Sequence, residues 1–282
     1  MKTIVHISDL HFGRANPALA TALTQQINVI RPDVVAVSGD LTQRAREREF
    51  QQAREFLQAL SYPKIVVPGN HDVPLHDVVA RFYAPLARYR RYITEDLEPY
   101  YDDDAIALLG INTARSLTFK NGRINREQVA AACERLDRHS EAMIRIVVTH
   151  HPFDLPASHR PRDLVGRARM AMIGFAACNV DVFLSGHLHL SGIIHTVDRY
   201  RIAGHSALVI QAGTAISTRG RGEWNSWNVI RISRPYLSVE RFAWSPESGV
   251  FASTEQDHFI KRVDGWARTE QPQDNALTER IA

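Results

Sequence analysis

The chain begins with three short apolar segments that alternate with two longer segments of helical periodicity. Residues 3–7, 34–37 and 64–67 are predicted strands, because each is a run of aliphatic and β-branched side chains next to turn signals. Residues 18–30 and 46–60 carry apolar side chains at helical spacing and are predicted helices. This order within so short a span predicts parallel strands joined by right-handed crossovers.

The same alternation returns in the middle of the chain. Residues 105–111, 144–148 and 182–184 are predicted strands, and residues 125–138 and 165–177 are predicted helices. The pattern as a whole therefore predicts an α/β fold.

Two regions depart from this alternation. Residues 73–104 are rich in Arg and Tyr and are predicted to form one or two helices, a cap-like insertion over the strand ends. Beyond residue 189, short segments with period-two alternation predict an antiparallel meander. The predicted meander strands are residues 193–197, 200–202, 207–210, 227–232 and 237–242.

The last part of the chain is polar with isolated aromatic residues. Residues 1–245 are therefore predicted to form the main domain, and residues 246–282 a C-terminal extension that is disordered from residue 271.

Side chains suited to metal binding or acid–base chemistry follow five of the predicted strands. Parallel strands bring their carboxyl ends to one edge of a sheet, so we expect these side chains to meet. They are Asp9 and His11, then Asp40, then Asn70, His71 and Asp72, then His150, and finally His187 and His189.

Backbone alternation assigns roles within each cluster. Side chains two apart share a face of an extended backbone, so Asp9 and His11 can chelate one cation. Adjacent Asn70 and His71 face opposite sides, which leaves His71 free to act on a substrate. Asp72 can orient the His71 ring and raise its pKa.

The choice between His150 and His151 rests on the next residue. Only one of two adjacent side chains faces the site, and Pro152 restricts His151 to an extended conformation leading away. His150 is the predicted site residue.

The predicted donors are a mixture of oxygen and nitrogen atoms. Such a set suits Mn, Fe, Zn or Co better than Mg or Ca. Seven side chains are too many for one ion, so we expect two divalent transition-metal ions that share Asp40 as a bridging carboxylate.

These motifs, in this order, resemble those of the calcineurin-like metallophosphoesterases. The pattern reads DxH, GD, GNHD, an isolated His and GHxH, and the resemblance spans residues 3–242. The segments 7–13 and 68–72 look most like the bacterial class III cyclic-nucleotide phosphodiesterases. The resemblance implies a four-layer αββα sandwich, two mixed β-sheets flanked by helices, with the metals at the sheet ends.

The resemblance also implies a role for each residue. His71 would be the catalytic histidine near the leaving group, with Asp72 as its partner. Mn or Fe would be the most suitable metals. Residues 43–46 lack the glycine expected shortly after Asp40, which affects only loop shape and substrate preference. The implied ligand sets are Asp9, His11, Asp40 and His189 for one metal, and Asp40, Asn70, His150 and His187 for the other.

The predicted reaction is hydrolysis of a small phosphodiester, such as a 3′,5′-cyclic nucleotide, by a metal-bridging hydroxide. Two divalent ions, two carboxylates and one hydroxide leave a charge of about +1, which suits a singly charged diester without excluding monoesters. The predicted substrate contacts are Arg219, Arg221 and His76.

Two alternative functions remain open at this stage. A DNA or RNA nuclease of the same fold is disfavoured, because 34 basic and 31 acidic residues leave a net charge of only +3. A non-catalytic protein-binding scaffold is disfavoured because His71 and every ligand position are present. No stable nucleic-acid partner is expected, and a homodimer is left open.

The cellular location is predicted from the ends of the chain and its cysteines. The amino terminus enters a strand directly, and no apolar run approaches the roughly 18 residues of a membrane span. Cys133 and Cys178 lack metal-site or redox spacing and are predicted to be reduced thiols. We therefore expect a cytoplasmic enzyme.

Overall fold

Two β-sheets pack face to face in a computed structural model of the chain, and helices cover their outer faces. The structure describes residues 1–118, 120–138, 143–156, 159–202, 204–219 and 222–270. The predicted α/β four-layer sandwich is confirmed.

The first sheet has seven strands and mixed direction. From one edge to the other they are β13 (Gly265–Thr269), β12 (Val250–Arg262), β11 (Tyr236–Ser245), β10 (Ser226–Ser233), β1 (Lys2–Ile7), β2 (Val34–Val37) and β3 (Lys64–Val66). Strands β1 to β3 are parallel, as predicted, and β10 pairs with β1 in antiparallel orientation.

The second sheet has six strands. In spatial order they are β4 (Tyr100–Asp102), β5 (Ile106–Gly110), β6 (Ile144–Val148), β7 (Val182–Ser185), β9 (Leu208–Gln211) and β8 (Gly192–His195). The four central strands are parallel, and the two edge strands are antiparallel to their neighbours.

Helices lie on the outer face of each sheet. The first helix begins where Asn16 caps it with a 3.0 Å bond from the Ala18 amide, and it ends at Arg31 in the left-handed region. The helices are α1 (Pro17–Ile30), α2 (Glu47–Gln58), α3 (Val78–Tyr83), α4 (Ala87–Tyr92), α5 (Arg126–Leu136), α6 (Ala168–Ala177) and α7 (Val197–Tyr200). Among the described residues, no helix combines the length and the apolar character of a membrane span.

Alternation along the strands divides the buried side chains between three apolar layers. In β1, Val5 and Ile7 pack with helices α1 and α2, whereas Ile4 lies between the sheets. In β5, Leu108 lies between the sheets, and Leu109 packs with α5 and α6. Because both faces of both sheets are covered, the central strands are apolar throughout.

The insertion at residues 73–104 forms α3, α4 and β4. Buried Tyr89 donates a hydrogen bond to the Val66 carbonyl at 2.9 Å, which ties α4 to β3. Buried Arg81 donates to the carbonyls of Ser116 and Pro74 at 2.8 and 2.9 Å. These bonds fasten both α3 and α4 to the sandwich, and β4 pairs with β5.

The segment after residue 189 differs from the predicted meander. Residues 200–202 were predicted as a strand, but α7 ends at Tyr200 and loop residues follow. Strand β9 pairs in antiparallel orientation with β8, as a meander would, but on its other side it pairs in parallel with β7. The prediction of a purely antiparallel region is wrong, because a crossover through β8 and α7 delivers β9 beside β7.

The predicted domain boundary at residue 245 coincides with the end of β11. Residues 250–269 then continue the same sheet, since β12 pairs with β11 and β13 pairs with β12. The predicted disorder from residue 271 lies outside the described residues.

Cys133 and Cys178 form a disulfide bond, with Cα atoms 5.5 Å apart. The prediction of reduced thiols is wrong. Cys133 lies in α5 and Cys178 follows α6, and these helices pack side by side through Val129 and Gly174. A separation of 45 residues gave no motif from which this pairing could be predicted.

Candidate metal centre

The carboxyl ends of strands from both sheets meet at one edge of the sandwich. The loops after β1 and β2 are joined by a hydrogen bond from the Asp9 amide to the Gly39 carbonyl at 3.1 Å. The loops after β6 and β7 are joined by one from the Gly186 amide to the His150 carbonyl at 3.1 Å. The His187 amide donates to Oδ2 of Asp9 at 3.0 Å and connects the two sheets.

One group of ligand atoms consists of Asp9, His11 and His189. Oδ1 of Asp9 lies 3.5 Å from Nε2 of His11 and 3.4 Å from Nε2 of His189. Oδ1 of Asp9 and Nε2 of His11 are buried and, among the described residues, have no hydrogen-bond partner. Buried polar atoms without a partner are costly, so this group fits a cation.

A second group surrounds Nε2 of His150. This nitrogen lies 3.2 Å from Oδ1 of Asn70, 3.3 Å from Nδ1 of His187 and 3.4 Å from Oδ1 of Asp40. Nδ1–H of His150 donates to the Ser38 carbonyl at 2.8 Å, so in the neutral ring, the form that binds a metal, Nε2 carries the lone pair. Lone pairs therefore converge from several side chains, as they do around a metal ion.

Asp40 lies between the two groups. Its Oδ1 faces His150, and its Oδ2 lies 3.7 Å from Nε2 of His11. The His71 amide donates a hydrogen bond to Oδ1 at 2.8 Å, which fixes the carboxylate. The two oxygens of Asp40 are placed to serve both groups.

Electrostatics in this region favour positive charge. Burial raises the pKa of Asp40, but His150, His71 and His11 outweigh it and hold that pKa well below its usual value. Burial lowers the pKa of His150, but Asp40 and Asp9 outweigh it and raise it to about 9. The carboxylates thus stabilise a cation beside them.

Five of the predicted ligands have left-handed backbone conformations. The φ angles of Asp9, His11, Asp40, His187 and His189 lie between 46° and 71°. This region costs a non-glycine residue about 1–2 kcal/mol. The expectation that Asp9 and His11 lie on an extended backbone is wrong, because both adopt left-handed conformations. Their side chains still lie together, with Oδ1 of Asp9 3.5 Å from Nε2 of His11.

Hydrogen bonds hold the imidazole rings in place. Nδ1 of His189 lies 2.7 Å from Oγ1 of Thr214, and Nδ1 of His11 lies 3.4 Å from the Thr42 carbonyl. In both rings Nε2 is left to face Asp9.

Sequence analysis missed Thr42 and Thr214. Thr42 lies two residues after Asp40, but Thr214 carries no signal in the sequence.

His71 lies at the rim of both groups, in an edge-to-face contact with His11 at 4.9 Å between ring centroids. Nδ1–H of His71 donates to the Gln43 carbonyl at 2.8 Å, and Nη1 of Arg219 donates to Nε2 at 2.7 Å. Burial lowers the pKa of His71, and nearby Asp40 opposes this shift.

Asp72 does not contact the His71 ring, contrary to its expected role as the partner that orients it. Its carboxylate accepts hydrogen bonds from the amides of Thr42, Gly69 and Leu41 at 2.8, 2.9 and 3.2 Å. Burial and the nearby Asp40 raise the pKa of Asp72 to about 6, against these hydrogen bonds. Asp72 thus joins the 3₁₀ turn Asn70–Asp72 to the loop after β2.

His151 is buried next to His150, but both its ring nitrogens have protein partners. Nε2–H donates to the Lys120 carbonyl at 2.8 Å, and Nδ1 accepts from Oγ1 of Thr113 at 2.7 Å. His151 therefore has no free lone pair to offer a cation.

The predicted substrate contacts lie in different surroundings. Arg219 reaches His71 in the site, whereas exposed His76 lies 2.9 Å from Nη1 of Arg44. Arg221 lies outside the described residues.

Comparison with known families agrees with this geometry. Residues 2–191 match the family model of the calcineurin-like phosphoesterases. The chain belongs to this family. Membership implies a metal-dependent phosphoesterase with two metal ions, for which the Asp and His clusters are candidate ligands.

Several relatives carry phosphodiesterase names. The chain is 41% identical over 80 residues to the glycerophosphodiester phosphodiesterase GpdQ of Enterobacter lignolyticus, covering 24% of this chain and 29% of that enzyme. It is 23% identical over 209 residues to a probable cyclic nucleotide phosphodiesterase of Synechococcus, covering 66% of this chain and 73% of that protein.

A solved structure shares the fold. A dimetal phosphatase from Danio rerio superposes with a TM-score of 0.62 over 84% of this chain and 95% of its own, at 14% identity. At this identity the similarity concerns the fold alone.

Proposed function

We propose that this phosphoesterase is a dinuclear-metal phosphodiesterase that hydrolyses small phosphodiesters, with 3′,5′-cyclic nucleotides as the first candidates. The convergence of lone pairs around Nε2 of His150 carries the proposal, because a shared cation satisfies all of them. The proposed ligand sets are Asp9, His11, Asp40 and His189 for one ion, and Asp40, Asn70, His150 and His187 for the other.

The donor set fits two transition-metal ions. Each proposed set contains carboxylate oxygen and imidazole nitrogen, which suits Mn or Fe first and Zn or Co next. The anchored Nδ1 atoms of His11, His150 and His189 fix which ring nitrogen is offered.

The chain supports the reaction through its own side chains. When bound, the two cations polarise phosphoryl oxygens and activate water. His71 is proposed to hold a proton at Nε2 for the leaving oxygen, while Nδ1–H keeps its bond to Gln43. Asp72 is proposed to support this arrangement by holding the turn that carries His71.

The size class of the substrate rests on two observations. The names of the two relatives point to small phosphodiesters. The net charge of +3 supplies little long-range attraction for a nucleic acid. Arg219 and His76 are proposed to contact the substrate, and a homodimer stays a prediction.

The cytoplasmic location also stays a proposal. The Cys133–Cys178 disulfide weighs against it, because structural disulfides are rare in a reducing cytosol.

The deciding experiment measures hydrolysis of bis-p-nitrophenyl phosphate with and without Mn²⁺. His71→Ala should lower kcat by about 10²–10⁴-fold, the range for a lost general acid, while bound metal is retained. His258→Ala, on β12, is the matched control. Absence of metal-dependent turnover in the wild type would favour a scaffold.

A substrate screen then separates the phosphodiester classes. It compares 3′,5′-cyclic AMP, 2′,3′-cyclic nucleotides, glycerophosphodiesters and single-stranded DNA on Mn²⁺-loaded protein. The highest kcat/KM is expected for a cyclic nucleotide. A preference for the DNA would replace the proposal with the nuclease alternative.

A further inference from the structure

Arg219 occupies the ring nitrogen of His71 that faces the site. Its Nη1 lies 2.7 Å from Nε2 of His71. Because Nδ1–H of His71 donates to the Gln43 carbonyl, Nε2 is the acceptor in this contact. In this arrangement Nε2 of His71 cannot also bond to a leaving oxygen along the same direction.

The segment that carries Arg219 is anchored to the loop after β1. The Thr218 amide donates to the Arg14 carbonyl at 3.0 Å, and Ser217 forms an isolated bridge with Ala15. The Arg219 amide donates to Oγ of Ser217 at 3.1 Å. The backbone of Arg219 is therefore held beside the site.

A guanidinium gains more from a phosphate than from a neutral imidazole. Arg219 donates one hydrogen bond to the imidazole of His71. To a phosphate, a guanidinium can donate two parallel hydrogen bonds, and the negative charge of the phosphate strengthens both. A phosphodiester that enters beside Asp40 and His11 therefore offers Arg219 a stronger partner.

We propose that Arg219 clamps the substrate phosphate and leaves Nε2 of His71 when it does so. This inference rests on the proposed phosphodiesterase function. Arrival of the anion would then free His71 at the stage when the leaving oxygen needs a proton. The attacking water supplies that proton overall, so the reaction yields a phosphomonoester and an alcohol group, which stay on one molecule when the diester is cyclic.

The clamp is specific for arginine. A lysine at position 219 keeps the charge but lacks the planar pair of donors. Arg219→Lys should therefore retain only part of the affinity for phosphate oxygens, and Arg219→Ala should lose most of it.

The test compares steady-state kinetics of bis-p-nitrophenyl phosphate on Mn²⁺-loaded protein. Arg219→Ala should raise KM by about 10- to 100-fold, the cost of a lost charge-assisted pair, with kcat changed by a few-fold. The inhibition constant of inorganic phosphate should rise in parallel, and Arg219→Lys should lie between. Exposed Arg262→Ala serves as the control.

A fall in kcat without a rise in KM would contradict the proposed clamp. If Arg219 only orients His71, kcat falls while KM and the phosphate inhibition constant stay unchanged in both variants. Bound manganese and the thermal midpoint, measured on each variant, show that the site and fold are retained. Absence of turnover in the wild type would instead count against the phosphodiesterase function itself.

Discussion

The carboxylate of Asp72 accepts two hydrogen bonds from Thr42, one from its amide at 2.8 Å and one from its hydroxyl at 2.9 Å. A third bond comes from the Gly69 amide at 2.9 Å. A single buried carboxylate thus joins the loop that carries Asp40 to the turn that carries His71.

Asp72→Asn should destabilise the folded protein and lower its rate of catalysis. The amide group of Asn replaces one acceptor oxygen with a donor that faces backbone N–H groups, and a buried unsatisfied group costs about 1–3 kcal/mol. Urea unfolding of the metal-free variant measures this loss, and exposed Asp264→Asn is the control. Equal unfolding midpoints for both variants would contradict the assigned role.

Asp40→Asn should reduce the bound metal from two ions to none, because both ions lose the carboxylate that they share. Asn tolerates the left-handed conformation at this position, so the loss reports on the missing charge and not on the backbone. Asp9→Asn should remove only the ion that Asp9 binds. Metal analysis after exhaustive dialysis distinguishes the two variants, and identical stoichiometry would argue against a bridging role.

Gly186→Ala should abolish most of the activity, whereas Gly192→Ala should not. A Cβ at Gly186 would lie 1.8 Å from Oγ of Ser8 and 2.5 Å from Oδ2 of Asp9, while a Cβ at Gly192 meets nothing within 4 Å. Displacement of a site residue by about 1 Å can cost about 10²-fold in rate. Kinetics of both alanine variants on one substrate checks this contrast.

His6 should make the metal-free protein less stable in acid. Burial lowers the pKa of His6 from 6.5 to about 3, with Asp9 opposing the shift. Above pH 6.5 neither state is protonated and stability is complete. Between pH 6.5 and about 3 only the unfolded state binds the proton, so stability falls by up to about 1.4 kcal/mol per pH unit.

Urea unfolding in EDTA at several pH values measures that slope. His6→Gln should make the slope shallower, and the same substitution at exposed His76 is the control. An unchanged slope in His6→Gln would show that other buried groups account for the acid sensitivity.

The disulfide predicts an absence of free thiols. Thiol titration of the unfolded, unreduced protein should detect neither Cys133 nor Cys178. After reduction the same titration should detect two thiols. A bridge that closes a loop of 45 residues stabilises by about 4 kcal/mol in the chain-entropy estimate. Two free thiols in freshly purified protein would restore the original prediction and support a cytoplasmic location.

Much of the fold was predictable because its central strands are short apolar runs between turns. Strands β1, β2 and β6 and helix α1 lie where the periodicity places them, since each buries a continuous apolar set. The family and the strand-end clusters followed from motif order, because ligand residues must stay beside the same strand ends.

Other features depend on contacts between distant parts of the chain. Strand β12 has exposed residues from Ala252 to Gln256, so its pairing with β11 leaves little periodic signal. The left-handed turns at Asp9 and His187 and the bond between Arg219 and His71 arise only when the loops meet. The local pattern of apolar and polar residues contains no information on such long-range contacts.

The proposed donors come from both sheets, with Asp9, Asp40 and Asn70 following strands of one and His150 and His187 following strands of the other. Cations bound among these donors would cross-link the two sheets. They would do so at an edge where the lone pairs of the donor atoms would otherwise face each other. Chelation should therefore loosen the whole sandwich as well as stop catalysis, so the melting temperature would report metal loading.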